Sequence, residues 1–105
     1  MAEIVLNEEN FDETISSGLT LVDFWATWCG PCQMMLPIIA QFAEKMEWKM
    51  KVAKVDVDWN QDIAAKYWVM SVPTLILFKD WEIVEQAVWV QPLDQLETLC
   101  SKYFG

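Results

Sequence analysis

The sequence predicts an α/β fold: three layers, α/β/α, with a central mixed sheet of about five strands flanked by about four helices. Three observations lead there. Short apolar runs bounded by turn residues alternate with segments of helical period, in the order strand-helix-strand-helix-strand-helix-strand-strand-helix. The last two strand runs are separated only by a tight turn, which makes them an antiparallel hairpin beside otherwise parallel central strands. The chain has 105 residues, 54% of them hydrophobic, enough for one compact domain over 1–105 with a real core.

In chain order, Glu3–Leu6 reads as a short strand and Glu9–Ser17 as a helix that Gly18 can end as a C-cap. Leu19–Thr27 is an apolar run and reads as a buried strand. Pro31–Glu47 follows as a long helix, with Cys32, Met35, Leu36, Ile39, Phe42, Ala43 and Met46 at i, i+3, i+4, i+7 spacing. Pro37 lies inside it and should kink it, because it has no N–H. Lys51–Val57 is expected as a strand, Gln61–Tyr67 as a short helix and Thr74–Lys79 as a strand. Lys79-Asp80-Trp81-Glu82 turns the chain into a strand at Ile83–Val90. The final helix, Leu93–Phe104, carries Leu93, Leu96, Cys100 and Tyr103 on one face.

Between the buried strand and the long helix lies Trp28-Cys29-Gly30-Pro31-Cys32. Two thiols three residues apart at a helix start lie on one face, about one turn apart, and can close a small disulfide ring or open to a dithiol. The free N–H groups and partial positive charge of the helix N-terminus favour thiolate over thiol. Composition removes the competing chemistries. There is no histidine, which excludes Ser-His-Asp and Cys-His catalysis, His-ligated metals and haem attachment through Cys-x-x-Cys-His. Three cysteines are too few for a four-ligand structural zinc, and an odd number suggests a functional pair plus one spare. Acidic residues number 16 against 7 basic ones, so the net charge is −9 and nucleic-acid binding through a basic face is not expected. No stretch is long and apolar enough for a membrane span, and Met1-Ala2-Glu3-Ile4 lacks the pattern of an export signal, so a cytoplasmic, reducing setting is the expectation.

The segments Asp23-Phe24-Trp25-Ala26-Thr27-Trp28-Cys29-Gly30-Pro31-Cys32, Pro37, Lys54-Val55-Asp56-Val57-Asp58, Ala64-Ala65-Lys66-Tyr67 and Met70-Ser71-Val72-Pro73-Thr74 together resemble the thioredoxin family over essentially the whole chain. That resemblance implies the thioredoxin fold and a general protein disulfide reductase. Cys29, at the helix start with an exposed sulfur expected, is the candidate nucleophile; Cys32, one turn in, resolves the mixed disulfide. Gly30 gives a substrate chain close approach, and Pro31 fits the first helical turn. Asp23 is the odd residue in an apolar strand. If buried it has a raised pKa, and the resemblance then implies proton exchange with Cys32 through water, with Lys54 as charge partner. The alternative is a strand-end carboxylate facing solvent. The resemblance further implies a cis peptide before Pro73, with Val72 pairing with an extended substrate chain. Trp28 should flank the site, Trp25 pack in the core, Cys100 fill core space, and Met34 and Met35 pack along the helix.

Seven tryptophans depart from the pattern expected of such a chain. The family typically has glycine at the positions of Trp81 and Trp89, and often at those of Trp48 and Trp68; Trp59 occupies a loop where a polar residue is expected. Position 68 follows a helix end, 81 lies in a hairpin turn and 89 where a bulge is expected, so positive φ at each would cost roughly 1–2 kcal/mol. Trp89 borders the groove beside the cysteines, where it either obstructs docking of a protein or enlarges an apolar contact patch. The expected activity is therefore thiol–disulfide exchange by a monomer with no bound cofactor and no metal, re-reduced by an NADPH-dependent thioredoxin reductase and acting on disulfide-containing proteins. The alternative is a non-catalytic thioredoxin-like binding subunit, or an engineered scaffold with impaired docking. An oxidant or isomerase fits the Gly-Pro spacer less well.

Overall fold

A computed structural model describes residues 3–104. Met1 and Ala2, part of the segment read for an export signal, lie outside the described residues. The elements are β1 (Glu3–Val5), α1 (Phe11–Ile15), β2 (Leu19–Trp25), α2 (Gly30–Met46), β3 (Lys51–Asp56), α3 (Gln61–Lys66), β4 (Thr74–Lys79), β5 (Glu82–Val88) and α4 (Leu93–Ser101). The five strands form one sheet in the order β1-β3-β2-β4-β5. β3 pairs parallel with both β1 and β2, whereas β4 runs antiparallel to β2 and to β5. The mixed sheet and its hairpin agree with the sequence pattern.

Strand alternation divides the core into two. Leu19, Leu21, Val52, Leu75 and Leu77 face Met35, Ile39, Phe42 and Ala43 of α2 and Leu96 and Cys100 of α4. Val22, Phe24, Ala53, Val55, Ile76 and Phe78 face Phe11 and Ile15 of α1 and Ile63 of α3. These two faces are the outer layers of the predicted three. β2 is central, so it is buried on both faces, which is why its sequence is a continuous apolar run. No helix among the described residues is long and apolar enough to cross a membrane.

Several boundaries and packing roles differ from the sequence reading. α1 begins at Phe11 because the Asn7 side chain accepts from the N–H groups of Glu9 and Asn10 and holds a turn there. β2 stops at Trp25, since Cys29 N–H donates to Ala26 O and the chain is already turning. α2 is assigned as one helix, Gly30–Met46, with the exposed Pro37 inside it. α4 ends at Ser101, leaving Tyr103 beyond the helix but still packed on the α2/α4 core. The bulge is not at position 89. Leu77 pairs with Glu85 and Phe78 with Ile83, so Val84 is the extra residue. Met34 is exposed and Trp25 is only partly buried, both against expectation, whereas Met35 and Cys100 are core.

Candidate active site

The disulfide motif sits where β2 hands over to α2. Cys29 is the N-cap of α2, with extended backbone (φ −91°, ψ 115°), and its Sγ accepts the Cys32 N–H at 3.1 Å. A sulfur therefore does what a Ser or Asp oxygen commonly does at this position: it satisfies an orphan helix donor. Pro31 in the first turn withdraws no needed N–H. Cys29 and Cys32 form a disulfide with Cα atoms 5.2 Å apart, and Cys100 is the free, buried thiol. Cys32 is fully buried, as expected. Cys29 is also buried, at 4% exposure, which corrects the expectation of an open sulfur. The reason is local: Cys29 packs with Ala26 and Cys32, and with Trp25, Val57 and Val72 against them.

Cys29 Sγ lies 3.6 Å from the Val72 carbonyl oxygen. The Val72–Pro73 peptide is cis, and the Pro73 carbonyl accepts the Trp89 N–H at 3.0 Å. The Thr74 hydroxyl donates to Ser71 O at 2.6 Å and ties this loop to the start of β4. Trp28 is 70% exposed, and its indole N–H donates to Asp58 Oδ2 at 2.9 Å, which fixes the ring beside the motif. A Cβ on Gly30 would meet nothing within 4 Å, so the space next to Cys29 is open. A shallow cavity of about 130 Å³ is lined by Trp28, Val57, Val69, Met70, Ser71 and Val72. Cys29, Cys32, Trp28, Gly30, Pro31, Val72, Pro73 and Trp89 thus form one neighbourhood. Met70 and Asp58 are additional members; both lay in quoted sequence segments, but nothing in their residue type marked them.

Asp23 is fully buried on β2, so the solvent-facing alternative is excluded. By strand alternation its side chain lies between Leu21, which packs on α2, and Trp25, which packs on the cysteine cluster. Neither carboxyl oxygen has a hydrogen-bond partner, and its pKa rises from 3.8 to about 7, chiefly through burial, then through Glu3, against a smaller opposing effect of Lys54. Lys54 is the register partner of Asp23 across the β2/β3 ladder, yet its ammonium pairs with Glu3 at 3.4 Å. Lys54 thus acts on Asp23 through its charge across the ladder, with its salt bridge made to Glu3. Among the described residues no group of three or more His, Cys, Asp or Glu is placed to hold a metal.

Trp68, Trp81 and Trp89 all have positive φ, at 58°, 78° and 83°. Trp68 occupies the C′ position of a Schellman motif closing α3: its N–H donates to Ala65 O, and Val69 N–H to Ala64 O. Trp81 follows Asp80 (φ 47°) in the β4–β5 turn. Trp48, Trp59, Trp68 and Trp89 are exposed, and Trp81 is 53% exposed.

Comparison with known proteins agrees with this geometry. The thioredoxin family model matches residues 2–102. The chain is 48% identical over 103 residues to a thioredoxin of Staphylococcus haemolyticus, covering 98% of this chain and 99% of that protein. It is 47% identical to a thioredoxin of Staphylococcus aureus over the same length. In structure it is similar to a mutant thioredoxin from Halobacterium salinarum NRC-1, with a TM-score of 0.91, 41% identity and coverage of 98% of this chain and 91% of that one. With a disulfide-forming Cys29–Cys32 pair at the head of α2, the chain belongs to the thioredoxin family and is a thiol–disulfide oxidoreductase.

Proposed function

We propose that the chain, acting as one domain over 1–105, is a general protein disulfide reductase. The observation that carries the reading is the placement of Cys29 Sγ at the α2 N-cap, against the Val72 backbone. The Cys29 thiolate, stabilised by the helix N-terminus, attacks a target disulfide; a mixed disulfide forms and one target sulfur leaves as thiolate. The buried Cys32 thiol loses its proton to the Asp23 carboxylate and attacks Cys29 Sγ. The second target sulfur leaves, the Cys29–Cys32 disulfide closes, and two electrons have passed to the target. Lys54 and Glu3 set the charge around Asp23, while Trp28, Gly30, Pro31, Val72 and Pro73 line the approach of an extended target segment, in the manner of strand addition. Thioredoxin reductase, drawing on NADPH, is the partner that returns the pair to the dithiol. The setting is a reducing cytoplasm, where a monomer of this kind serves electron transport and redox homeostasis. Reduction of insulin by dithiothreitol tests the reading. Cys29→Ser should abolish the acceleration while retaining the fold, and an undiminished rate would overturn the assignment.

A second reading, an engineered scaffold with impaired docking, draws on one observation. Trp89 projects 60% exposed from the segment hydrogen-bonded to Pro73. On that reading the dithiol reacts normally with small disulfides but slowly with proteins. Trp89→Gly should raise the rate on insulin and leave the rate on a small aromatic disulfide unchanged. Equal rates of variant and parent on insulin count against obstruction.

A further inference from the structure

Three strands bring three charged groups together on the α2 side of the sheet. By alternation Glu3 on β1, Lys54 on β3 and Asp23 on β2 all face that layer, since their neighbours Val52 and Leu21 pack there. The backbone register would allow Lys54 to serve either flank: it is paired with Val5 of β1 on one side and with Asp23 of β2 on the other. Its ammonium lies 3.4 Å from Glu3 Oε1 of β1 and 5.6 Å from the centre of the Trp25 ring of β2, and it makes no salt bridge with Asp23. Both Asp23 oxygens are left without a hydrogen-bond partner, and Glu3 Oε1 accepts no hydrogen bond either, so Glu3 attracts Lys54 by charge alone. The Lys54 and Glu3 side chains are only 25% and 21% exposed, so solvent screens this arrangement weakly.

We propose that Glu3 is a positioning residue for Asp23, drawing the Lys54 ammonium to its own carboxylate so that it does not pair with the buried carboxyl. This deepens the reading of Asp23 as the proton acceptor for Cys32 and rests on it. A carboxyl paired with Lys54 would stay ionised and give up its role in proton exchange near neutrality. The remaining surroundings of Asp23 do not substitute for Glu3. Its β4 register partner is Leu75, the α2 residues packed on this layer (Cys32, Met35, Ile39, Phe42, Ala43 and Met46) are uncharged, and Asp56 on β3 already accepts the Asp58 N–H at 2.9 Å. Cys32, the proposed proton donor, lies on that side, and Cys100 of α4 and Tyr103 pack in the same layer; none of the three carries a positive charge that could take the place of Lys54.

The test is a carboxyl-carbon NMR titration of Asp23 in the reduced protein, beside the pH profile of insulin reduction. Glu3→Gln keeps the side-chain shape but releases Lys54. The Asp23 midpoint should fall by about half a pH unit or more, a roughly threefold change in its protonation ratio. Losing Glu3's own repulsion of Asp23 lowers the midpoint in either background, so the redirected ammonium is read as the excess: the Glu3→Gln shift should be clearly larger with Lys54 present than in the Lys54→Met background. An unchanged midpoint in Glu3→Gln, or an equal shift in both backgrounds, overturns the inference. A lowered midpoint with an unmoved turnover profile supports the Glu3 placement and counts instead against Asp23 as proton carrier.

Discussion

At the scale of single residues, Asp23 was the most legible feature, because one carboxylate in a run of apolar side chains has to be either functional or misplaced. Its consequences for stability can be worked out in sign. Below about pH 4 the folded and unfolded chains both hold its proton, so burial carries no ionisation penalty. As pH rises from there to about 7 the unfolded chain releases the proton while the folded one keeps it, and stability falls. Above that range the full penalty applies: about three pH units at about 1.4 kcal/mol each, or roughly 4 kcal/mol as an upper bound. Asp23→Asn should therefore be more stable than the parent at pH 8 by a few kcal/mol and similar to it near pH 4. Urea unfolding at the two pH values measures the gap, and a gap that does not widen with pH removes the raised pKa from the account. That Asp23 has no salt-bridge partner was not legible. Register places Lys54 beside it, but a long flexible side chain chooses between neighbours by charge, and the deciding charge, Glu3, sits two strands away with nothing in the sequence to connect them.

At the scale of elements, the turn grammar was read correctly and the bulge was not. A helix end and a hairpin turn both call for left-handed backbone, and the structure has positive φ at Trp68 and Trp81 for those reasons. A bulge leaves a weaker trace, because any residue of β5 could be the extra one; the structure places it at Val84, where the Tyr103 hydroxyl lies 3.1 Å from the released carbonyl. The conformational cost at Trp68 can be isolated, since its indole is 81% exposed and little packing is lost with it. Trp68→Gly should stabilise the protein by about 1 kcal/mol, relieving the left-handed penalty at the Schellman position. Trp81→Gly creates an Asp-Gly turn suited to two consecutive positive φ values, but it also removes a half-buried ring, so its gain should be smaller than relief of φ alone predicts. Trp48→Gly is the control: Trp48 is 95% exposed and is not among the positive-φ residues, so the substitution should give no gain. Denaturant midpoints at a common m-value rank the three, and a gain at position 48 equal to that at 68 would rule out backbone strain as the cause.

At the scale of the whole molecule, the fold class was legible because element order and apolar run length constrain layers, whereas the strand order β1-β3-β2-β4-β5 depends on which runs share a face after folding. Net charge is legible from composition alone, and it acts on function at a distance set by salt. The molecule measures 33 × 27 × 24 Å and carries a formal charge of −9. At roughly 10 mM ionic strength the Debye length is about 30 Å, comparable with the molecule, so an approaching disulfide feels nearly the whole charge. At about 150 mM it shrinks to about 8 Å, and only the groups rimming the groove still act, among them Asp58 beside Trp28. A lysine-rich disulfide peptide should therefore be reduced several-fold faster at the lower salt than at the higher, and a glutamate-rich peptide of the same length several-fold slower. The chemical step is common to both, so their rates should converge as salt rises. Stopped-flow oxidation of the reduced protein, followed by tryptophan fluorescence, reads the two second-order rate constants directly. Parallel responses of the two peptides to salt would mean that docking at the Trp28–Val72–Trp89 surface, and not the long-range field, limits the encounter.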